Sequence, residues 1–327
     1  MRALKMGLAV AGMLAWAASA PAQGLRNIAI GVGGAGFGGA PVRFAKEMGL
    51  FEKHGLNASV TVMDSASAAM SALLSKSVDA AIAGPTEIIA AQARGQKVAI
   101  LVNTYAGLAG TLVLSKATAD KLGVSPTAPI RDRIKALDGL SIATPSASSS
   151  YGVTLRAAAA SAGITIRFTY IGTQALASAL EAGAIQGYIA GAPTWTPPVT
   201  TGSGVAWISG PKGELPPEFV PASSSSLQVL TSSAKLDPPL MKAIAAVFVD
   251  FVKALDDRPA EVKAAIAKAY PGLDPKTLDL LIETESGAWR AKPLTAEKMK
   301  QEVAFVKSSG IALPPLDNLD LESLLVH

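Results

Sequence analysis

The chain has no cysteine and only two histidines, His54 and His327. Without thiols there is no disulfide to form in an oxidising compartment, no zinc–thiolate site, no cysteine nucleophile and no lipid-anchored cysteine. Neither histidine has a carboxylate or nucleophile at motif spacing, no histidine pair suits a metal, and no G-x-S-x-G or Walker loop is present. Aromatic residues are scarce, at 5%. Charged residues are only 17% while half the chain is apolar, which excludes a disordered protein. The formal charge of +4 falls to +2 without Arg2 and Lys5, and no basic stripe points to nucleic acid.

Long apolar runs are also missing. Met6 to Ala18 is one of 13 residues, short of the roughly 18 that a span needs. It follows the basic Arg2 and Lys5 and precedes the small residues Ala20-Pro21-Ala22. That order is the form of a secretory signal, with cleavage expected after Ala22 and the mature protein expected in the periplasm. No twin arginine precedes the run, so export in the unfolded state is expected.

What the sequence does have is alternation. Short apolar strands (Ile28–Val32, Ala58–Met63, Ala80–Ala83, Val98–Val102) alternate with helical stretches (Pro41–Met48, Ser67–Leu74, Pro85–Arg94). A second series follows, with strands at Leu140–Ala143, Ile166–Tyr170 and Gly187–Ile189 and helices at Tyr151–Ala162 and Ala175–Ala182. This pattern predicts an α/β fold with mostly parallel sheets. Gly210 to Ser226, rich in proline, glycine and serine, reads as loop. From Pro238 on the pattern is mainly helical, as in Pro239–Leu255.

The two series are related. Shifted by 107 residues, Ser71–Leu101 aligns without gaps on Ser178–Ile208, with nine identities in 31 positions. Two similar βαβ units would account for this, as would two lobes of like topology offering equivalent loops to a shared cleft; the matching strand–turn–helix order favours the lobes. Strand one with its loop then corresponds to Leu140–Ala143 and the loop Thr144-Pro-Ser-Ala-Ser-Ser-Ser150. Ligands of open α/β sheets sit at the carboxyl ends of strands, where helix N-termini also favour negative charge.

The first loop, Gly31-Val-Gly-Gly-Ala-Gly36, fits G-x-G-x-x-G and so raises a dinucleotide-dependent oxidoreductase as an alternative. Against it, the next helix starts late, near Pro41, and Asp64 lies further along than the ribose-binding acid should.

Pro41-Val-Arg-Phe-Ala-Lys-Glu-Met-Gly-Leu-Phe-Glu-Lys-His-Gly-Leu56 resembles the "A-K-E-x-G-x-F-x-x-x-G-L" signature of periplasmic substrate-binding proteins of ABC importers. The branch is the one serving nitrate, sulfonates, taurine and the pyrimidine precursor of thiamine. Ala72-Leu-Leu-Ser-Lys-Ser-Val-Asp79 is similar to that family's "A-L-x-x-G-x-x-D", with Lys76 in the glycine place, and Ile134–Ala143 resembles its "L-K-G-K-x-I". In the second copy, Ala179–Gln186, glutamine stands where aspartate is usual.

The resemblance implies two α/β lobes joined by two crossing segments and closing on a ligand. Its expected divisions are a signal at 1–22, the first lobe over 23–112, the second over 113–227 and a return to the first over 228–327. The crossings are expected at Thr111–Leu114 and Leu227–Leu230. It implies a monomeric, non-enzymatic binding protein without cofactor or metal, which carries a small polar or anionic organic solute to a permease and ATPase. A tripartite secondary transporter is the alternative partner, and a pyrimidine-synthesis enzyme a more distant one.

By position, the first lobe should contribute Phe37, Gly38, Gly39, Ser65, Ser67, Thr86 and Glu87 to the cleft. The second should contribute Ser146, Ser148, Ser149, Ser150, Tyr151, Thr173, Pro193 and Trp195. Hydroxyls and free amides would meet ligand oxygens, and an aromatic ring would cover an apolar part. Serines and threonines there also suit helix N-caps, and Trp195 equally suits packing under its loop. Arg43 and Arg156 are candidate cations. Glu87 is the discordant residue: it would repel a bare anion, yet would suit a helix first turn, an amine or a ring N–H.

Overall fold

The structure, a computed structural model, describes residues 24–147, 149–310, 312–317 and 319–326. The expected signal, Ser148 and His327 lie outside them.

The first run is β1 (Arg26–Gly33), α1 (Pro41–Glu47), α2 (Leu50–Lys53), β2 (Leu56–Met63), α3 (Ala66–Leu74), β3 (Ala80–Ala83), α4 (Pro85–Ala93) and β4 (Val98–Ala106). The second is β5 (Thr111–Ser115), α5 (Lys116–Leu122), α6 (Ile130–Lys135), β6 (Ser141–Thr144), α7 (Ser150–Ala162), β7 (Arg167–Tyr170), α8 (Leu176–Glu181), β8 (Gly187–Ala190), α9 (Thr196–Thr201) and β9 (Gly204–Ser209). The chain then returns through β10 (Ser223–Leu230) to α10 (Pro238–Asp257), α11 (Pro259–Ala269), α12 (Pro275–Trp289) and α13 (Ala296–Ser308).

Two five-stranded sheets result, ordered β2-β1-β3-β10-β4 and β7-β6-β8-β5-β9. They are one topology used twice. β1 lies parallel between β2 and β3, as β6 does between β7 and β8. The sheets are mixed rather than wholly parallel: β10 runs antiparallel to β3 and β4, and β5 antiparallel to β8 and β9. Each reversed strand enters its sheet directly after the chain has changed lobes.

The crossings are therefore residues 107–110 and 210–222, not the two apolar runs expected for them. Thr111–Leu114 is buried strand in the second sheet and Leu227–Leu230 buried strand in the first. Their apolar character comes from that burial. Ser223–Ser226, read as loop, is strand as well. A serine run tolerates a sheet interior because its hydroxyls find partners: Ser223 Oγ donates to Asn103 Oδ1 at 2.9 Å, and Ser225 Oγ to the Gly38 carbonyl.

Helix α10 shows why the C-terminal part folds back on the first lobe. Asp237 caps it, accepting from the Leu240 amide at 2.9 Å, and Pro238 supplies a first position that needs no N–H. Leu240, Ile244, Val247, Phe248, Phe251 and Ala254 then form one buried stripe at helical spacing. The largest core cluster takes in Phe44, Phe251 and Trp289 of the first lobe with Tyr188 and Trp195 of the second, so the lobes share apolar packing behind the cleft.

Candidate functional site

The glycine loop after β1 is shaped by close packing. A Cβ on Gly33 would stand 2.4 Å from the Ala66 Cα, and one on Gly39 2.7 Å from Val32 Cγ1. These glycines let β1 and its loop lie flat against their neighbours. The Phe37 amide is used across the lobes, donating to the Ala192 carbonyl at 3.1 Å. The helix that follows opens at Pro41, which has no N–H. This is not the glycine loop running into a helix N-terminus that holds a pyrophosphate.

A cleft of about 450 Å³ opens between the sheets. A second space of about 910 Å³ adjoins it, the two sharing Gly36, Tyr151 and Gly191 as walls. The walls follow from the topology. They are the loops after β1, β3, β6 and β8, the carboxyl ends of equivalent parallel strands in the two lobes.

Nine of the expected site residues meet in the smaller cleft: Phe37, Gly38, Gly39, Thr86 and Glu87 from the first lobe, and Ser146, Ser149, Ser150 and Tyr151 from the second. The ring of Phe37 is buried, 4.6 Å from Tyr270 and 6.1 Å from Trp289, so it anchors the loop. Tyr151 stands between glycines: a Cβ on Gly110 would come within 2.5 Å of its ring, and one on Gly191 within 2.8 Å of its hydroxyl. Its hydroxyl donates to the Ala109 carbonyl at 3.3 Å. Burial, then the charge of Glu285, pushes its pKa to about 12.

The other expected residues lie elsewhere. Thr173 and Pro193 border the adjoining space. Ser65 caps α3, accepting from the Ala68 amide at 3.1 Å, and Ser67 is exposed; Ala66, between them, reaches the cleft. Trp195 is 1% exposed and packs in the shared core, its indole N–H directed at Glu285 Oε1 at 3.4 Å. A loop tryptophan is drawn inward here because a buried carboxylate offers its N–H a partner. Of the two arginines, Arg43 stacks on Tyr270 at 4.3 Å and Arg156 donates to the Ala147 carbonyl; neither lines the cleft. His54 is bonded to Asp250 at 2.9 Å, also outside the cleft.

Sequence reasoning missed the third wall. Pro221 and Ser223–Ser225, at the second crossing, border the cleft, and so do Glu302 and Phe305 of α13. Glu302 is fully buried. Its Oε1 accepts from the Ser223 amide at 2.8 Å, while Oε2 makes no close hydrogen bond among the described residues, although the Ala222 amide also favours the ionised carboxyl. Burial pushes its carboxyl up to about 8. The signal was available: Glu302 sits at helical spacing with the buried Met299, Phe305 and Val306. Glu87, half-buried in the first turn of α4, also has its pKa raised by burial, against the opposing pull of its own amide and that of Gly84.

Residues 24–270 match the model of the NMT1-like family. The chain belongs to this family. No curated protein sequence matches it. Solved structures share its fold. The periplasmic aliphatic sulphonate binding protein SsuA from Escherichia coli is 18% identical, with a TM-score of 0.66 over 86% of this chain and 91% of that one. The putative sulfonate-binding SsuA from Methylobacillus flagellatus, also 18% identical, gives 0.66 over 92% of each chain. The periplasmic nitrate-binding protein NrtA from Synechocystis is 15% identical and gives 0.55, covering 80% of this chain and 69% of that one. The two-sheet architecture of this NMT1-like chain is thus the periplasmic-binding-protein fold.

Proposed function

We propose that the protein is an exported solute-binding protein, which captures a small polar organic molecule in the interlobe cleft and delivers it to the permease of an ABC importer. The observation that carries this reading is the cleft itself. Loops at the carboxyl ends of equivalent strands face one another across it, and two crossings join the lobes at its side. Family membership and neighbours named as periplasmic binding proteins of sulfonate and nitrate support the same reading. A periplasmic location and a permease–ATPase partner belong to this proposal, as does the absence of catalysis.

Thermal unfolding of the mature protein against a solute panel tests it. The panel holds organic amines, guanidines, sulfonates, carboxylates, nitrate and nicotinamide dinucleotides. A ligand at 100 times its Kd should stabilise the fold by about 2.7 kcal/mol and raise the midpoint visibly. A response to dinucleotides alone would reject solute capture. Closure should also lower the scattering radius at saturating ligand; an unchanged radius would count against lobe closure.

A further inference from the structure

The cleft's charge does not suit the anions for which its structural neighbours are named. Glu87 and Glu302 both border it, and among the described residues none of those lining it is lysine, arginine or histidine. The adjoining space adds Asp64 and Asp274, again with no cationic side chain among the described residues of its walls. An ionised buried carboxyl with no counter-charge is expensive, so Glu302 keeps its proton in the free protein, and a cation entering the cleft would be what lets it ionise.

The hydroxyls tell the same story. Ser224 Oγ donates to the Gly107 carbonyl at 2.6 Å and accepts from the Ala109 amide at 2.7 Å. Ser149 Oγ donates to the Ser146 carbonyl at 2.8 Å and accepts from the Gly152 amide at 3.2 Å. Ser225 and Tyr151 donate to the carbonyls of Gly38 and Ala109. With these protons committed inside the protein, Ser149, Ser224, Ser225 and Tyr151 offer a ligand lone pairs rather than donors. Thr86, Ser146 and Ser150 keep rotatable hydroxyls that serve either role. Amides at the N-termini of α4 and α7 would attract an anion, but Glu87 draws on those near Gly84, and Ser149 takes that of Gly152. Glu302 Oε2 is buried and, among the described residues, makes no close hydrogen bond, though the Ala222 amide lies near the carboxyl; once ionised it has room to accept from a ligand.

We infer that the cleft selects a small organic cation, an amine, amidinium or guanidinium, whose N–H groups meet the carboxyls of Glu302 and Glu87. This rests on the solute-binding reading and names the charge class of its ligand. In it, Glu302 releases its proton to solvent as the cation binds, and Oε2 accepts a ligand N–H. Glu87, also bordering the cleft, adds the second negative charge, and the serine oxygens receive the remaining N–H groups.

The experiment compares two probe sets on the mature protein by thermal unfolding and titration calorimetry. One holds guanidinium, ethanolamine, putrescine, agmatine and benzamidine; the other holds nitrate, ethanesulfonate, acetate and benzoate. At least one cation should raise the midpoint and no anion should. For that cation, Glu302→Gln and Glu87→Gln should each weaken affinity tenfold or more. Circular dichroism checks that each variant folds, and either one alone suffices for the comparison. A midpoint raised by anions only would overturn the charge assignment and leave solute capture standing. Equal cation affinity in wild type and both variants would also overturn it. No response to either set would overturn both readings.

Discussion

Lys76 and Gly183 close equivalent helices with the same left-handed turn: φ is +63° at Lys76 and +71° at Gly183. The hydrogen bonds match as well. After α3, the Lys76 amide bonds to the Leu73 carbonyl at 3.0 Å and the Ser77 amide to Ala72 at 2.9 Å; after α8, Gly183 bonds to Leu180 and Ala184 to Ala179, each at 3.0 Å. Both are Schellman caps, which want glycine at the left-handed position. Among the described residues, Lys76 is the only non-glycine with positive φ.

Lys76→Gly should therefore stabilise the protein, by up to about 1 kcal/mol, because strain relieved in the folded state exceeds the extra freedom given to the unfolded chain. Urea denaturation measures it. A stability loss above experimental error would show that the lysine's side chain contributes more than its backbone costs.

The same pair shows what was legible in the sequence. The 107-residue offset that aligns Ser71 with Ser178 also superposes caps, strands β3 and β8, and the left-handed Gly95 and Gly202. Loops after parallel strands are easily read, since a strand, a small-residue turn and a helix start leave a local pattern; nine of the expected residues meet there. What was hidden was non-local. Ser223–Ser226 look like loop because their partners, Asn103 and Gly38, lie far away in the chain. Trp195 faces inward because of Glu285, on a helix that follows much later.

Trp195 is now expected to act on stability first. Trp195→Ala would leave a large cavity in the shared core and cost about 3–5 kcal/mol. Trp195→Phe keeps most of the volume but removes one of two donors to the buried Glu285, the other being the Tyr105 hydroxyl. That should cost about 1–2 kcal/mol. Chemical denaturation separates the two. A Trp195→Ala variant as stable as wild type would contradict the buried position.

Ser149 and Ser146 divide capping from ligand contact. Ser149 Oγ caps α7, so Ser149→Ala should lose about 1 kcal/mol of stability. The Ser146 hydroxyl has no partner among the described residues and its side chain is exposed, so Ser146→Ala should change stability by less than about 0.5 kcal/mol. If both serines touch ligand, both variants weaken binding. A Ser146→Ala protein with wild-type affinity would remove that hydroxyl from the site.

Glu302 should make the free protein less stable in mild alkali. Its carboxyl moves from an ordinary 4.5 to about 8 on folding, because burial disfavours the charge. The folded state then holds a proton that the unfolded state has released, so stability falls as pH rises from about 4.5 to 8 and levels off above. The full effect is at most about 4–5 kcal/mol. Glu285, raised to about 7 by burial, acts in the same direction but is spent earlier, and the raised Glu87 adds to the fall. Lys298, on the same helix, opposes the shift weakly. Glu302→Gln removes the proton exchange while keeping an acceptor for the Ser223 amide. Urea midpoints between pH 7 and 9 should fall for the wild type and fall much less for the variant. Parallel curves would mean that Glu302 is already ionised in the folded protein at neutral pH, with a counter-charge that the free cleft does not contain.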